Sequence, residues 1–182
     1  MDILLSLTGL ALCLIPCLLI AIMIRASSSG PVLFWSDRVG RGNVLFRMPK
    51  FRTMAPDAPL IATPFLKDPE RHVTPLGRIL RRTSLDELPQ LWSVLTGDMS
   101  IVGPRPALFN ENRLIALRTQ AGIHQLLPGL TGLAQVSGRD RLSLEEKVFF
   151  DRHYLQTRSL RADAWIMWRT LSVVLGGHDI SH

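Results

Sequence analysis

The chain has 182 residues, of which 47% are hydrophobic, and its formal net charge is +6. This size and apolar content suit one domain with a core of its own rather than two domains. Both cysteines, Cys13 and Cys17, lie inside the first apolar run, which excludes a disulfide framework and a zinc ribbon. The basic residues are 18 arginines and 3 lysines, and the planar guanidinium group favours phosphates and other acidic partners.

The N-terminal segment is long and apolar enough to enter a membrane. No charged residue occurs from Ile3 to Ile24, and a helix of that length reaches about 33 Å at roughly 1.5 Å per residue. Met1-Asp2 supplies no basic lead-in, so a cleaved signal peptide is not predicted. Arg25 and all later basic residues lie on one side, which predicts a cytoplasmic body. Pro16 removes a backbone hydrogen bond and kinks the helix, which leaves a tilted crossing and a re-entrant turn both open.

The next part of the chain predicts a hairpin, a long loop and a helix. Pro31 to Arg38 and Val44 to Arg47 flank the turn sequence Gly40-Arg41-Gly42-Asn43, a pattern typical of a short β-hairpin. Residues 55 to 75 contain five prolines and little periodicity, so we expect a loop. Helix-like character resumes from Leu76 to Arg82.

The C-terminal half predicts helices separated by a turn-rich segment. A helix is expected from Ala107 to Gln120, and Pro128 to Gly138 predicts turns. Ser143 and Glu146 have the spacing of a capping box, so another helix begins there. The last helix, from Asp163, carries two tryptophans, and its pattern fits both a helix at a membrane interface and an ordinary amphipathic helix on a core.

An acidic pair, Asp86 and Glu87, stands at a predicted helix start. Pro89 is tolerated only in the first turn of a helix, so this helix begins near residues 84 to 88. The helix dipole there favours the ionised carboxylates. Two interpretations stay open: Glu87 forms a capping box with Ser84, or the two carboxylates hold a metal ion while arginines hold phosphate. The arginines just before the pair are Arg78, Arg81 and Arg82.

Three other segments carry cations suited to phosphate binding. Arg105 stands between two prolines, which restricts its backbone and aims its side chain at little entropic cost. Lys50 and Arg52 flank an aromatic residue, and Pro128 to Arg139 joins glycine-rich backbone to another arginine. Each segment alone also fits an ordinary turn.

Taken together and in this order, these segments closely resemble the bacterial sugar transferase family, the monotopic phosphoglycosyl transferases that start glycan assembly on polyprenyl phosphate. The resemblance implies an α+β fold with a membrane-inserted, re-entrant N-terminal helix, a small β-hairpin and short amphipathic helices at the membrane interface. It implies residues 1–26 as the membrane helix and residues 27–182 as one catalytic unit on the cytoplasmic face of the bacterial inner membrane. The segments that carry it are the apolar helix with Pro16, Lys50 to Met54, Ser84 to Leu91, Gly97 to Pro106 and Pro128 to Arg139.

The resemblance also implies a reaction. A sugar 1-phosphate would pass from a UDP-sugar to polyprenyl (undecaprenyl) phosphate with release of UMP. Asp86 would be the nucleophile that forms a phosphosugar-aspartyl intermediate and a ligand of Mg²⁺, and Glu87 would be its partner, activating the lipid phosphate. The residues expected to bind substrate phosphate or nucleotide are Lys50, Arg52, Arg81, Arg82, Arg105, Gln135 and Arg139.

The sequence departs from the family pattern near the membrane. Ile15 precedes Pro16 where the family usually has serine, so the hydroxyl that would satisfy a freed carbonyl is missing. Pro49 stands where an aromatic residue is common before Lys50. A membrane-anchored basic adaptor without catalysis is the alternative, but an adaptor needs a run of basic residues on one surface. No nucleic acid partner is expected, and the C-terminal tryptophans would suit a homodimer as well as a lipid surface.

Overall fold

The first element, α1, is an apolar helix from Asp2 to Ser27 that passes through Pro16 without interruption in the computed structural model. The structure describes residues 1–56, 58, 69–138 and 141–176, and within them α1 is the one helix long and apolar enough to cross a membrane, by length and composition. Both halves of α1 contact the rest of the protein: Ser6 and Ile24 are buried, and Gly9 lies against the Leu91 side chain.

The other faces of α1 carry an apolar surface. Its large side chains that are more than half exposed are Ile3, Leu4, Leu7, Leu12, Leu14, Ile15, Leu18, Leu19 and Ile22. Water would not favour so much apolar area on one element. The predicted apolar helix is therefore confirmed, while the choice between a re-entrant turn and a crossing stays a prediction.

The predicted hairpin is confirmed, and a third strand joins it. β1 (Leu33–Val39) pairs antiparallel with β2 (Leu45–Phe51), and the short β4 (Ala107–Leu108) pairs with the other edge of β1, which gives the order β2-β1-β4. β2 is longer than predicted and contains Pro49, which its edge position allows because an edge strand has an unpaired side. The register sets Lys50 opposite Phe34.

A second, parallel sheet corrects one prediction. β3 (Ser100–Val102) pairs with β5 (Gly129–Thr131), and the segment expected to form only turns contains β5 and then helix α6 (Leu133–Ser137). Backbone hydrogen bonds extend the pairing, with Gly103 N donating to Thr131 O at 2.8 Å. A Cβ atom on Gly103 would meet Leu127 O at 2.5 Å, so the glycines here serve close backbone approach, which the sequence could not distinguish from turns.

The remaining helices lie around these sheets. They are α2 (Pro69–His72), α3 (Pro75–Arg82), α4 (Leu91–Leu95), α5 (Asn112–Gln120), α7 (Leu144–Thr157) and α8 (Leu160–Gly176). The predicted capping box of Ser143 and Glu146 is confirmed. α5 begins later than predicted because Ala107 pairs in β4, and α8 begins before Asp163 because the Ser159 hydroxyl accepts from Ala162 N. α2 interrupts the predicted 55–75 loop, most of which lies outside the described residues.

Two hydrophobic clusters meet at the segment that carries the acidic pair. The smaller cluster joins Ile20 and Ile24 of α1 to Phe51 and Leu80, and the larger one is built on β3, α4, α7 and α8. A 3₁₀ helix, Leu85–Gln90, sits between them: Leu85 and Leu88 pack on the smaller cluster, and Leu91 directly after it belongs to the larger one. Each fully buried side chain of this size stabilises by about 1.5–3 kcal/mol. The α+β fold with an apolar N-terminal helix is thus confirmed.

Candidate active site

The acidic pair lies in the first turn of the 3₁₀ helix Leu85–Gln90, as predicted, but Pro89 lies inside that helix, after its first turn. Ser84 before it has φ 56° and ψ 16°, a left-handed conformation that costs a non-glycine residue about 1–3 kcal/mol and recurs at active sites. The Ser84 side chain makes no capping hydrogen bond within the described structure, so the capping-box interpretation is wrong. The Glu87 carboxylate binds cations instead.

Four predicted residues meet at this point. Lys50 Nζ lies 2.8 Å from Glu87 Oε1, and Arg105 Nη2 lies 2.9 Å from the same oxygen. Lys50 Nζ is also 4.0 Å from Asp86 Oδ2. Lys50 is near the end of β2 and Arg105 is in the loop after β3, so only the fold brings these groups to the dyad. We call this set (Lys50, Asp86, Glu87, Arg105) the dyad cluster.

The cluster is partly open to solvent. The Glu87 side chain is 17% exposed, whereas that of Arg105 is 44% exposed. Asp86 as a residue is buried. The partly exposed Arg105 guanidinium is accessible to a phosphate from solvent without a change in the fold.

The charges around Glu87 keep it ionised. Burial raises the pKa of Glu87, but the charges of Arg105 and Lys50 and the hydrogen bonds they donate hold it well below its usual range. A carboxylate of such low pKa is a weak base near neutral pH. The geometry therefore suits Glu87 to holding two cations and does not favour the expected role in activating the lipid phosphate.

The structure gives hydrogen bonds for two other predicted phosphate-binding arginines and the exposure of a third. Arg52 Nη1 donates to Ser29 O at 2.6 Å and Arg52 Nη2 to Ser28 O at 3.1 Å, so this guanidinium closes the C-terminal end of α1. Arg81 Nε donates to Thr53 Oγ1 at 3.0 Å. Arg82 is exposed. Their binding of phosphate stays a prediction.

Two predicted residues belong to the segment after β5. Gln135 is buried in α6, where its Nε2 donates to Leu130 O at 3.3 Å and its Oε1 is without a partner among the described atoms. Arg139 lies outside the described residues. The sequence interpretation missed Gln90, whose buried Nε2 is likewise without a partner in the described structure, four positions after Asp86. The available signal was a polar amide directly before the apolar helix α4 (Leu91–Leu95) and close to the acidic pair.

The carboxylates fit a magnesium ion only together with substrate. Within the described residues, no group of three or more histidine, cysteine, aspartate or glutamate side chains could hold a metal ion. Asp86 and Glu87 are adjacent, and Glu87 already binds Lys50 and Arg105. Because Mg²⁺ is usually held by one or two carboxylates with waters and substrate phosphates, this donor set fits an ion that arrives with a diphosphate.

Comparison with known proteins gives a consistent result. The family model described as "Bacterial sugar transferase" matches residues 1–177. A UDP-galactose-lipid carrier transferase of Erwinia amylovora is 38% identical over 181 residues, which cover 89% of this chain and 37% of the relative. The exopolysaccharide production protein ExoY of Sinorhizobium fredii is 36% identical, with 86% of this chain and 76% of the relative covered.

A third relative names both a donor and an acceptor. The UDP-glucose:undecaprenyl-phosphate glucose-1-phosphate transferase of Caulobacter vibrioides is 42% identical, with 87% of this chain and 59% of the relative covered. The chain thus spans between 37% and 76% of the length of these three relatives. The matched residues include the whole dyad cluster.

Proposed function

Because the chain belongs to the bacterial sugar transferase family, we propose that it moves a sugar 1-phosphate from a UDP-sugar to undecaprenyl or another polyprenyl phosphate, with release of UMP. The observation that carries this proposal is the dyad cluster, in which two cations meet a carboxylate pair at a half-open site. The name of the Caulobacter relative, which states a UDP-sugar and undecaprenyl phosphate, supports both substrate classes.

Asp86 is the nucleophile of the first step. Its carboxylate oxygen attacks the phosphorus that bears the sugar, a new oxygen–phosphorus bond forms, and the bond to the bridging oxygen breaks so that UMP leaves with the electron pair. Lys50 and Arg105 bind the phosphate oxygens on which negative charge gathers. Mg²⁺ bound with the donor diphosphate would neutralise further charge, with Asp86 as the ligand from this chain.

The second step restores the enzyme. A phosphate oxygen of the polyprenyl phosphate attacks the same phosphorus, the bond to Asp86 breaks, and the product is a sugar linked to the lipid by a diphosphate. Two steps let a water-soluble donor and a lipid acceptor use one site in turn. The acceptor needs little help from a base, because the second pKa of a phosphate monoester is about 6.

Glu87 orients the cations in this mechanism. Both short contacts, from Lys50 and from Arg105, go to its carboxylate. Those contacts occupy the Glu87 carboxylate and hold both cations beside Asp86. Lys50 lies farther from Asp86, at 4.0 Å.

The proposed location is the cytoplasmic face of the bacterial inner membrane. α1 exposes a wide apolar surface while its buried face contacts α4 and the 3₁₀ helix that carries the dyad. α8 exposes Trp165, Trp168 and Leu171, side chains typical of a membrane interface. The contact between α1 and the 3₁₀ helix supports a dyad close to the level at which a lipid phosphate lies.

The test is a donor-only reaction. The purified chain in lipid nanodiscs, with Mg²⁺ and a panel of UDP-sugars but no acceptor, should release about one UMP per protein and gain the mass of a sugar phosphate on the peptide containing Asp86. Asp86→Asn should abolish both signals. UMP release only after polyprenyl phosphate is added would keep the transferase and contradict the covalent step. Silence under both conditions, from folded protein, would contradict the function and favour the adaptor.

A further inference from the structure

The loop of residues 104–106, which carries Arg105, is anchored at three successive carbonyl groups. Pro104 O accepts a hydrogen bond from Gly129 N at 2.8 Å. Arg105 O accepts one from Arg118 Nη1 at 2.7 Å. Pro106 O accepts one from Arg38 Nη1 at 3.2 Å. The three donors belong to β5, α5 and β1. Its two prolines have no N–H to donate, so these carbonyls provide backbone contacts between the loop and the elements around it.

Arg118 is held in place by a buried partner. Its Nε and Nη2 donate to Asp151 Oδ2 of α7 at 3.0 and 2.7 Å. Arg118 is only 9% exposed and Asp151 only 1%. A buried ion pair is often no more stabilising than apolar residues of the same volume, so stability alone does not explain this one. The arrangement directs a third guanidinium donor at the backbone of Arg105.

Arg38 approaches the same loop from the sheet. Its Nε donates to Ser36 Oγ at 3.0 Å while its Nη1 reaches the loop. Burial and the nearby Arg105 charge lower the pKa of Arg38 to about 10, with Glu111 and Glu87 acting in the opposite direction. Arg38 therefore stays charged near neutral pH and keeps its donors.

We propose that Arg118, held by Asp151, and Arg38 are positioning residues that fix the loop of residues 104–106 so that the Arg105 guanidinium meets Glu87 and the donor phosphate. The inference rests on the proposed function. The Arg105 side chain is half-exposed and long, so its direction depends on where its backbone is fixed. A displacement of about 1 Å at a reacting group can cost about a hundredfold in rate.

The same two helices provide a matched control. Arg113 Nη2 of α5 binds Glu145 Oε1 of α7 at 2.6 Å, and these side chains are 74% and 60% exposed. This second ion pair joins α5 to α7 at the surface. Arg113→Ala therefore removes an arginine–carboxylate bridge between the same helices.

The test is a double-mutant cycle on UMP formation. Arg118→Lys keeps a charge but cannot bind both Asp151 and the loop, and it should lower kcat/KM by about tenfold to a hundredfold, as expected for groups that orient functional residues. Arg113→Ala should stay within about twofold of wild type. In an Arg105→Ala background, Arg118→Lys should cost less than about a further twofold, because a residue that acts through Arg105 has nothing left to position.

Equal losses from Arg118→Lys with and without Arg105 would overturn the proposal, as would an equal loss in Arg113→Ala. The thermal unfolding midpoint of each variant is measured as well. An unchanged midpoint shows that a loss of activity comes from lost positioning and not from unfolding. If Arg118→Lys does not fold, Arg38→Lys replaces it in the double-mutant cycle. It should lower kcat/KM in the wild-type background and cost little further in Arg105→Ala, and equal losses in both backgrounds would overturn the proposal. A wild-type protein that releases no UMP would contradict the proposed function itself, whereas additive losses in an active protein contradict only the positioning.

Discussion

Two arginine–carboxylate contacts in this protein use the same groups in different surroundings. Arg105 meets Glu87 at a half-open position beside Asp86, whereas Arg118 meets Asp151 in the interior. Arg105 and Lys50 lower the pKa of Glu87 despite its burial, whereas burial raises the pKa of Asp151 more than the Arg118 charge lowers it. An open contact leaves its cation accessible to a phosphate, while a sealed one fixes the position of the backbone around it.

Removing the nucleophile should have the largest effect on the open site. We expect Asp86→Asn to lower UMP formation by about a thousandfold or more, because an amide in place of the nucleophile cannot form the phosphosugar-aspartyl intermediate. The measurement is a donor-only burst with mass analysis of the modified peptide. Asp98→Asn, at an exposed aspartate after α4, is the control and should keep wild-type activity. A burst that persists in Asp86→Asn would contradict the assignment.

Breaking the interior contact should lower stability, in addition to the loss of activity expected when the Arg105 loop is displaced. Asp151→Asn leaves Arg118 buried and without its carboxylate, which costs about 3–5 kcal/mol in the free energy of unfolding. Chemical denaturation in detergent micelles measures this loss. Glu145→Gln, in the exposed pair of the same helices, should cost about 0–1 kcal/mol. Equal costs for the two variants would show that burial does not separate these contacts.

Neutralising the open contact should give an intermediate effect. Glu87→Gln keeps the shape of the side chain but weakens its hold on Lys50 and Arg105. Charged hydrogen bonds are worth about 1.5–3 kcal/mol, so we expect activity to fall about tenfold to a hundredfold. Steady-state rates with and without acceptor give the measurement. A loss as deep as that of Asp86→Asn, with the sugar-phosphate mass also absent, would instead favour Glu87 as the nucleophile.

Acid should weaken the open contact only below the usual pKa range of a glutamate. The folded-state pKa of Glu87 lies below its usual range, so its contribution to stability is fully present above about pH 4.5 and is lost as the pH falls through the folded-state pKa. The stability difference between wild type and Glu87→Gln should therefore be constant above about pH 5 and shrink in stronger acid. The pKa shift of Asp151 has the opposite sign. Its pKa is raised in the folded state, so folding favours the protonated carboxyl group. A difference that grows in acid would contradict the contact with Lys50 and Arg105.

Local patterns predicted much of the fold. The apolar run predicted α1, the Gly40–Asn43 turn predicted the hairpin, and the Ser143 capping box predicted α7, because each depends on residues close together in sequence. The prediction that Pro128 to Gly138 forms only turns was wrong. Glycines that allow two strands to approach closely cannot be told from glycines in turns by sequence. The predicted start of α5 at Ala107 was wrong for a related reason: Ala107 pairs with Val39, which is distant in sequence.

The sequence by itself determined that Asp86 and Glu87 would stand at a helix start, because a proline and a dipole act within one turn. Only the tertiary structure decided which cations meet them. Lys50 and Arg52 are two positions apart, yet Lys50 faces the dyad from β2, whereas Arg52 lies beyond the end of that strand and binds the end of α1. Side-chain contacts between distant residues follow from where strands end and how clusters pack, and neither is encoded in a short window of sequence.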